Sequence, residues 1–224
     1  MQDYPKLLLQ ASKEQQNINT TCLVVTFPRF MAWSPVKNDY NRAKALFDKT
    51  GYEESPRSGE HDILDLFKQQ LLSVNSCPVC NHDHKQRIQI EEGAFICLYP
   101  EAGITVEEIH KHIGMNVVIK KNSVVIIKSR NWFLQNCEID GCLIIQHEDE
   151  ENDQSGMVMI NNCKIQNKSW SYYPIDKDNE DIDIVYRMRG YMVNREESLV
   201  INVKSNGNNL LENRDFTEGG IVSL

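Results

Sequence analysis

Two stretches of the sequence gather residue types that do chemistry. Cys77-Pro-Val-Cys80-Asn-His82-Asp-His84 holds two thiols and two imidazoles, the donor set that tetrahedral zinc accepts. The Cys77/Cys80 spacing suits a zinc knuckle, but structural sites draw their second ligand pair from a separate knuckle, and His82 and His84 crowd the first. Cys97, farther along, is placed to replace one histidine. Cys77, Cys80, His82 and His84 are therefore a candidate zinc site, while the spacing favours the alternative, a polar surface turn with two idle thiols. The other stretch is Ser34-Pro-Val-Lys-Asn38. It sets Lys37 in a turn between an apolar segment and a predicted helix, where an ammonium can stand over a phosphate and the free amides of the helix start add charge of the same sign. The alternative for an isolated loop lysine is simple solvation.

Other chemistries find little support. There is no Gly-x-Ser-x-Gly elbow, and His61, His82, His84, His110 and His112 have no serine or cysteine partner that spacing can locate. His110 and His112 are expected on a solvated helix face. The eleven glycines form neither Gly-x-Gly-x-x-Gly nor Gly-Lys-Ser/Thr, so a nucleotide's main binding loop would lie elsewhere.

The elements that must position these residues read as follows. Residues 22–33 are β-branched and aromatic, interrupted by Pro28, and predict one strand or two meeting at a bulge. Asp39 predicts a capped helix to about Lys49, with Gly51 as its stop. A second helix is expected to open near Gly59-Glu60 and to place Ile63, Leu64, Phe67 and Leu71 on one face. Arg87–Ile90 and Ala94–Leu98 look like a hairpin around Glu92-Gly93. Thr105-Val-Glu-Glu108 is a capping box, predicting a short helix through Ile113 that Gly114 ends.

From Met115 the pattern changes to short strands, at Asn116-VVIKK, Ser123-VVIIK, Cys142-LIIQ and Gly156-MVMI, with asparagines between them. Such repeats suit a parallel β-helix and an antiparallel sandwich about equally. The acidic runs Glu148–Asp153 and Asp176–Asp183 are expected to be solvated loops. Residues 205–220 have the composition of a mobile tail.

The chain has 224 residues, 41% hydrophobic and 25% charged, with a net charge of −8 from 24 basic and 32 acidic side chains. Collagen-like, fully disordered and disulfide-scaffold classes are excluded. Scattered basic residues on an acidic chain count against nucleic acid as a partner, and the apolar runs are too short to span a membrane. Seven cysteines without a signal-peptide pattern imply reduced thiols and a cytoplasmic location. Met1 runs straight into a loop-like Asp-Tyr-Pro, which leads us to expect a fragment.

Six ordered pieces carry a resemblance. They are Met1-Gln-Asp-Tyr-Pro-Lys6, Ser34-Pro-Val-Lys-Asn38, Ser58-Gly-Glu60, Gly114 leading into the strand repeats with Ser129-Arg-Asn131 and Asp140-Gly-Cys-Leu-Ile-Ile145, Gln166-Asn-Lys-Ser-Trp170, and Arg187-Met-Arg-Gly-Tyr191. In order and spacing they resemble the carboxy-terminal part of the plant and protist UDP-sugar pyrophosphorylases. Pro-Val-Lys-Asn is shared with the UDP-N-acetylhexosamine pyrophosphorylases.

The resemblance implies a uridylyltransferase that joins UTP to a sugar 1-phosphate with Mg²⁺ and releases pyrophosphate. Negative charges converge on the reacting phosphorus, so cations are the main catalytic device. Lys37 would contact phosphate, Asn38 would fix its turn, and Asp3 and Tyr4 would lie at the edge of the substrate site. The family's Gly-rich triphosphate loop is absent from this sequence, so UTP and sugar 1-phosphate would be bound through a missing amino-terminal part and the chain alone is expected to be inactive. The implied fold class is mixed α+β. Residues 1–75 would finish a Rossmann-like nucleotidyltransferase domain, 76–204 would form a carboxy-terminal domain with a single-coil-repeat β-helix, and 205–224 a flexible tail. Self-association through the β-helix ends is an expectation of this reading. The alternatives are a non-catalytic β-helical interaction module and a UDP-N-acetylhexosamine pyrophosphorylase relative.

Overall fold

Short-range capping sets the helices. Helix α1 (Tyr40–Thr50) starts where the Asp39 carboxylate accepts from the Arg42 amide at 3.0 Å and stops at Gly51, whose left-handed φ of 76° lets its amide reach the Phe47 carbonyl. Both boundaries agree with the sequence. Helix α2 (Pro56–Leu72) begins earlier than expected, because Ser55 and Ser58 cap each other and Pro56 fits the first turn. Leu71 on α2 is buried and Phe67 packs partly against the core, but Ile63 is 52% exposed, so only the second half of the helix lies on the core. The computed structural model describes residues 10, 13–14, 34–76, 86–103, 105–147, 156–195, 198–203 and 209–224. The expected strands of 22–33 and the acidic run at 148–153 lie outside these.

Beyond α2 the chain forms β1 (Ile88–Ile90), β2 (Phe95–Leu98), α3 (Val106–Lys111), β3 (Val117–Ile119), β4 (Val124–Ile127), β5 (Trp132–Gln135), β6 (Cys137–Ile139), β7 (Cys142–His147), β8 (Val158–Asn161) and β9 (Lys164–Ile165). It continues through β10 (Ser171–Pro174), α4 (Ile184–Arg189), β11 (Tyr191–Asn194), β12 (Leu199–Val203), β13 (Asn209–Glu212), β14 (Asp215–Phe216) and β15 (Gly220–Ser223). The Thr105/Glu108 capping box starts α3 as predicted.

Among the described residues β10 and β11 pair with each other, antiparallel, and three larger sheets collect the other strands, in the orders β1-β3-β6-β9-β14, β2-β4-β7-β12-β15 and β5-β8-β13. Every pairing within these three sheets is parallel. The fold is thus mixed α/β with parallel sheets, and the antiparallel sandwich is excluded for the described residues. Apart from β10 and β11, successive strands enter different sheets, so partners come from separate circuits of the chain. Ile90, Ile119, Ile139 and Ile165 stand in one row across the first sheet, the last three fully buried. Each such side chain contributes roughly 1.5–3 kcal/mol on leaving water.

Asparagines stand at several corners, and Asn136 and Asn162 are among those that the sequence pattern set between strands. Asn116, Asn136, Asn162 and Asn213 all have positive φ between 47° and 56°, a conformation that asparagine tolerates better than most residues. The Asn116 amide donates to Asn136 at 2.9 Å, Asn136 donates to Asn161 at 3.2 Å, and Asn162 donates to Asn213.

Two expectations are corrected. β1 and β2 do not form a hairpin, because β1 pairs in parallel with β3 and β2 with β4; the Glu92-Gly93 turn sends the chain into another sheet. Nor are the described residues 209–224 a free tail, since β13, β14 and β15 extend all three parallel sheets and Leu211 is buried. The parallel strands therefore continue past the boundary expected at 204. Asp176–Asp183 is an exposed loop whose last carboxylate caps α4.

Candidate functional site

The Lys37 turn is fastened by its backbone. The amides of Lys37 and Asn38 both donate to the Glu54 carbonyl, at 3.0 and 3.2 Å, and Glu54 itself has a left-handed φ of 51°. Asn38 is 4% exposed and its side-chain amide donates to the Glu53 carbonyl at 3.1 Å. At the start of the turn, the Ser34 hydroxyl donates to Asp62 on α2 at 2.5 Å, and the Tyr52 hydroxyl donates to the same carboxylate oxygen.

From this fixed turn the Lys37 side chain reaches outward. It is 57% exposed, and its ammonium lies 3.0 Å from the Glu54 carboxylate. The amides at the α1 start are less open than the sequence suggested, because Asp39 already takes one of them. Beside the turn a cleft of about 250 Å³ lies between the end of α1 and the first turns of α2, with Tyr52, Glu53, Arg57, His61 and Asp62 among its walls.

A second cluster joins α2 to the far end of the chain. Arg189 grips Glu60 bidentately, Nε to Oε2 at 2.8 Å and Nη2 to Oε1 at 2.5 Å, and the Tyr191 hydroxyl donates to Oε2 at 2.9 Å. The Arg189 guanidinium also lies over the Tyr191 ring at 4.4 Å. Tyr172 stacks on Phe95 at 4.9 Å and meets Tyr191 edge-on at 5.5 Å. Burial alone would lower the Arg189 pKa, but the hydrogen bonds to Glu60 and Tyr191 outweigh it and hold the value above the ordinary one. Burial, followed by Tyr191, pushes Tyr172 up; burial likewise raises Tyr191 against the lowering pull of Arg189. Ser58-Gly-Glu60 and Arg187-Met-Arg-Gly-Tyr191, separate in sequence, thus meet here. Sequence reasoning gave Glu60, Arg189 and Tyr191 no role, and their membership of those two pieces was the only signal.

His110 on α3 and His112 at its C-terminal cap are not solvated as expected. His110 is 8% exposed and its Nε2 lies 2.9 Å from the Ser73 hydroxyl. That hydroxyl donates to the Gln70 carbonyl at 2.6 Å, so its proton is not presented to the imidazole as a nucleophile's would be. His112 stacks on Trp132 at 4.7 Å with Nδ1 2.6 Å from the Trp132 carbonyl. The turn that carries them packs inward, because Ile109 and Ile113 are fully buried on either side. Burial lowers the pKa of both rings.

Asp3, Tyr4, Cys77, Cys80, His82 and His84 lie outside the described residues. Among the described residues no group of three or more His, Cys, Asp or Glu side chains gathers to hold a metal. No helix among the described residues is long and apolar enough to cross a membrane.

No protein-family model matches the chain. Among curated proteins it is similar to UDP-sugar pyrophosphorylases. It is 25% identical over 203 residues to that of Arabidopsis thaliana, covering 89% of this chain and 30% of the relative. To that of Oryza sativa subsp. indica it is 27% identical over 207 residues, covering 90% and 30%. To that of Oryza sativa subsp. japonica it is 27% identical over 210 residues, again covering 90% and 30%. The chain thus spans about 30% of the length of the curated relatives it matches.

Proposed function

We propose that this chain is a portion of a cytoplasmic uridylyltransferase of the UDP-sugar pyrophosphorylase kind and that Lys37 is its phosphate-contacting residue. One observation carries the reading: a half-exposed ammonium projects from a turn held by the Glu54 and Glu53 carbonyls, within the very Pro-Val-Lys-Asn piece that resembles the family. In the proposed reaction an oxygen of the sugar 1-phosphate attacks the α-phosphorus of UTP. A new P–O bond forms, the bond to the β-phosphate oxygen breaks, and pyrophosphate leaves. Lys37 exchanges its Glu54 carboxylate for a phosphate oxygen and offsets charge gathered during the displacement. Because the fixed backbone limits where the ammonium can go, little reorganisation accompanies that exchange.

Beyond Lys37, Asn38 and the Asp3 and Tyr4 expected at its edge, the substrate site is proposed to lie in protein outside this chain, with magnesium there as the companion of the triphosphate. The three parallel sheets, with strands entering them in rotation and asparagine corners between them, support reading this region as a β-helix.

The test uses the protein translated from the complete gene. Lys37→Ala there is expected to lower uridylyl transfer by about 10²-fold or more while leaving the urea midpoint in place. Unchanged turnover would sink the role of Lys37, and a complete gene without a Gly-rich triphosphate loop would favour a non-catalytic module.

A further inference from the structure

The first half of α2 has few attachments of its own to the core. Its buried residues are Ser58 and Gly59 near the start and Leu71 near the end, with Ile63 between them turned to solvent. Near its start it carries the lysine turn on one side: Val36 lies against Gly59, Ser34 bonds to Asp62, and the helix follows directly from Glu54, which holds the Lys37 and Asn38 amides. Next to Gly59, Glu60 is gripped by Arg189 and Tyr191, which come from α4 and β11. Phe95 on β2 meets His61 edge-on at 6.5 Å and stacks on Tyr172, so the same aromatic group steadies the following residue of the helix.

We propose that Arg189 and Tyr191 are positioning residues for the Lys37 turn, acting through Glu60 and the first turns of α2. The inference rests on the reading of Lys37 as a phosphate-contacting group, and it deepens that reading by assigning the far end of the chain a part in aiming the ammonium. A bidentate guanidinium–carboxylate pair constrains direction as well as distance. With one carboxylate held at both oxygens, α2 cannot roll about its axis without breaking a charge-assisted bond. The turn seated on the neighbouring face is therefore held in one orientation relative to α4 and β11, and through the Phe95 and Tyr172 rings to β2. Neither Arg189 nor Tyr191 needs to touch a substrate for this.

The experiment measures amide hydrogen exchange by NMR on the protein translated from the complete gene, without substrate. In Arg189→Ala the Lys37 and Asn38 amides, both bonded to the Glu54 carbonyl, are expected to exchange roughly tenfold faster and their resonances to shift. The amides of Ile127 and Ile145 in the second sheet should keep their protection. Tyr191→Phe, which removes a single hydrogen bond from Glu60, should move the same two amides in the same direction by less. If Arg189→Ala does not fold, Tyr191→Phe decides by the same comparison. Lys37 and Asn38 amides that stay unchanged, or that speed up only in step with those of the sheet, would overturn the proposal. The two ideas fail separately: exchange reads the coupling alone, and turnover of Lys37→Ala reads the phosphate role alone.

Discussion

Val36 lies so close to Gly59 that a Cβ built on the glycine would stand 2.6 Å from the Val36 Cγ2 methyl. The residue before Lys37 is thus seated on the first turns of α2, with contact permitted by the missing side chain. Valine is stiff at χ1 and cannot swing its methyl aside freely. Gly59→Ala is expected to destabilise the protein by about 1–3 kcal/mol, read as a lower urea midpoint. Adding Val36→Ala should recover much of that loss, a coupling that a double-mutant cycle would reveal; additive losses would mean that the contact is not the cause.

Asn167 closes a buried corner in the same spirit. Its side chain accepts from the Cys142 amide at 2.6 Å and donates to the Cys142 carbonyl at 3.0 Å, taking the place of a neighbouring strand. Asn167 is 8% exposed and Cys142 fully buried. Asn167→Ala strands one buried donor and one buried acceptor, and an expected loss of about 2–4 kcal/mol follows. Equilibrium unfolding in urea measures it, and a loss below about 1 kcal/mol would show that water replaces the amide.

Stability should fall as the solution becomes acidic, and His112 carries part of that fall. Burial lowers its pKa from 6.5, followed by the raising effect of its bond to the Trp132 carbonyl, the lowering effect of Lys111 and the raising effect of Glu108. The unfolded chain then binds more protons than the folded one as pH drops below 6.5. The contribution is complete above that value and is lost as pH falls toward the lower folded value; His110 acts with the same sign. Urea midpoints recorded between about pH 7.5 and 5.5 should decline in the wild type and decline less in His112→Asn. Parallel curves would assign the slope to other groups.

Thiol reactivity should divide along burial. Cys137, Cys142 and Cys163 are buried, and burial pushes all three thiols up, Cys137 to about 12. Only the thiolate alkylates readily. Peptide mapping after iodoacetamide at pH near 8 should find these three unlabelled in the native protein and Cys97, which is half-buried, labelled ahead of them. Early labelling of Cys137 would contradict the packing of the first sheet.

The sequence determined what neighbouring residues settle among themselves. Asp39 with Gly51, and Thr105 with Glu108, bound their helices because each cap reaches a partner within a few positions. The asparagines between short strands marked corners because their side chains make a positive φ affordable. The ordered motif pieces pointed to the pyrophosphorylase-like relatives and to Lys37.

Tertiary structure alone decided pairing and enclosure. β1 and β2 have the local form of a hairpin, yet the hydrogen bonds each can make are satisfied by strands from later circuits, and no local preference selects a partner that far away. His110 and His112 look solvated in any window of sequence and are enclosed only because Ser73 and Trp132 arrive from other elements. The last residues read as polar and loose until their strands find sheet edges waiting for them. The same holds for Glu60 and Arg189, 129 residues apart: each is an ordinary charged side chain in the sequence, and only closure of the fold brings the carboxylate and the guanidinium together, a pairing set by long-range geometry.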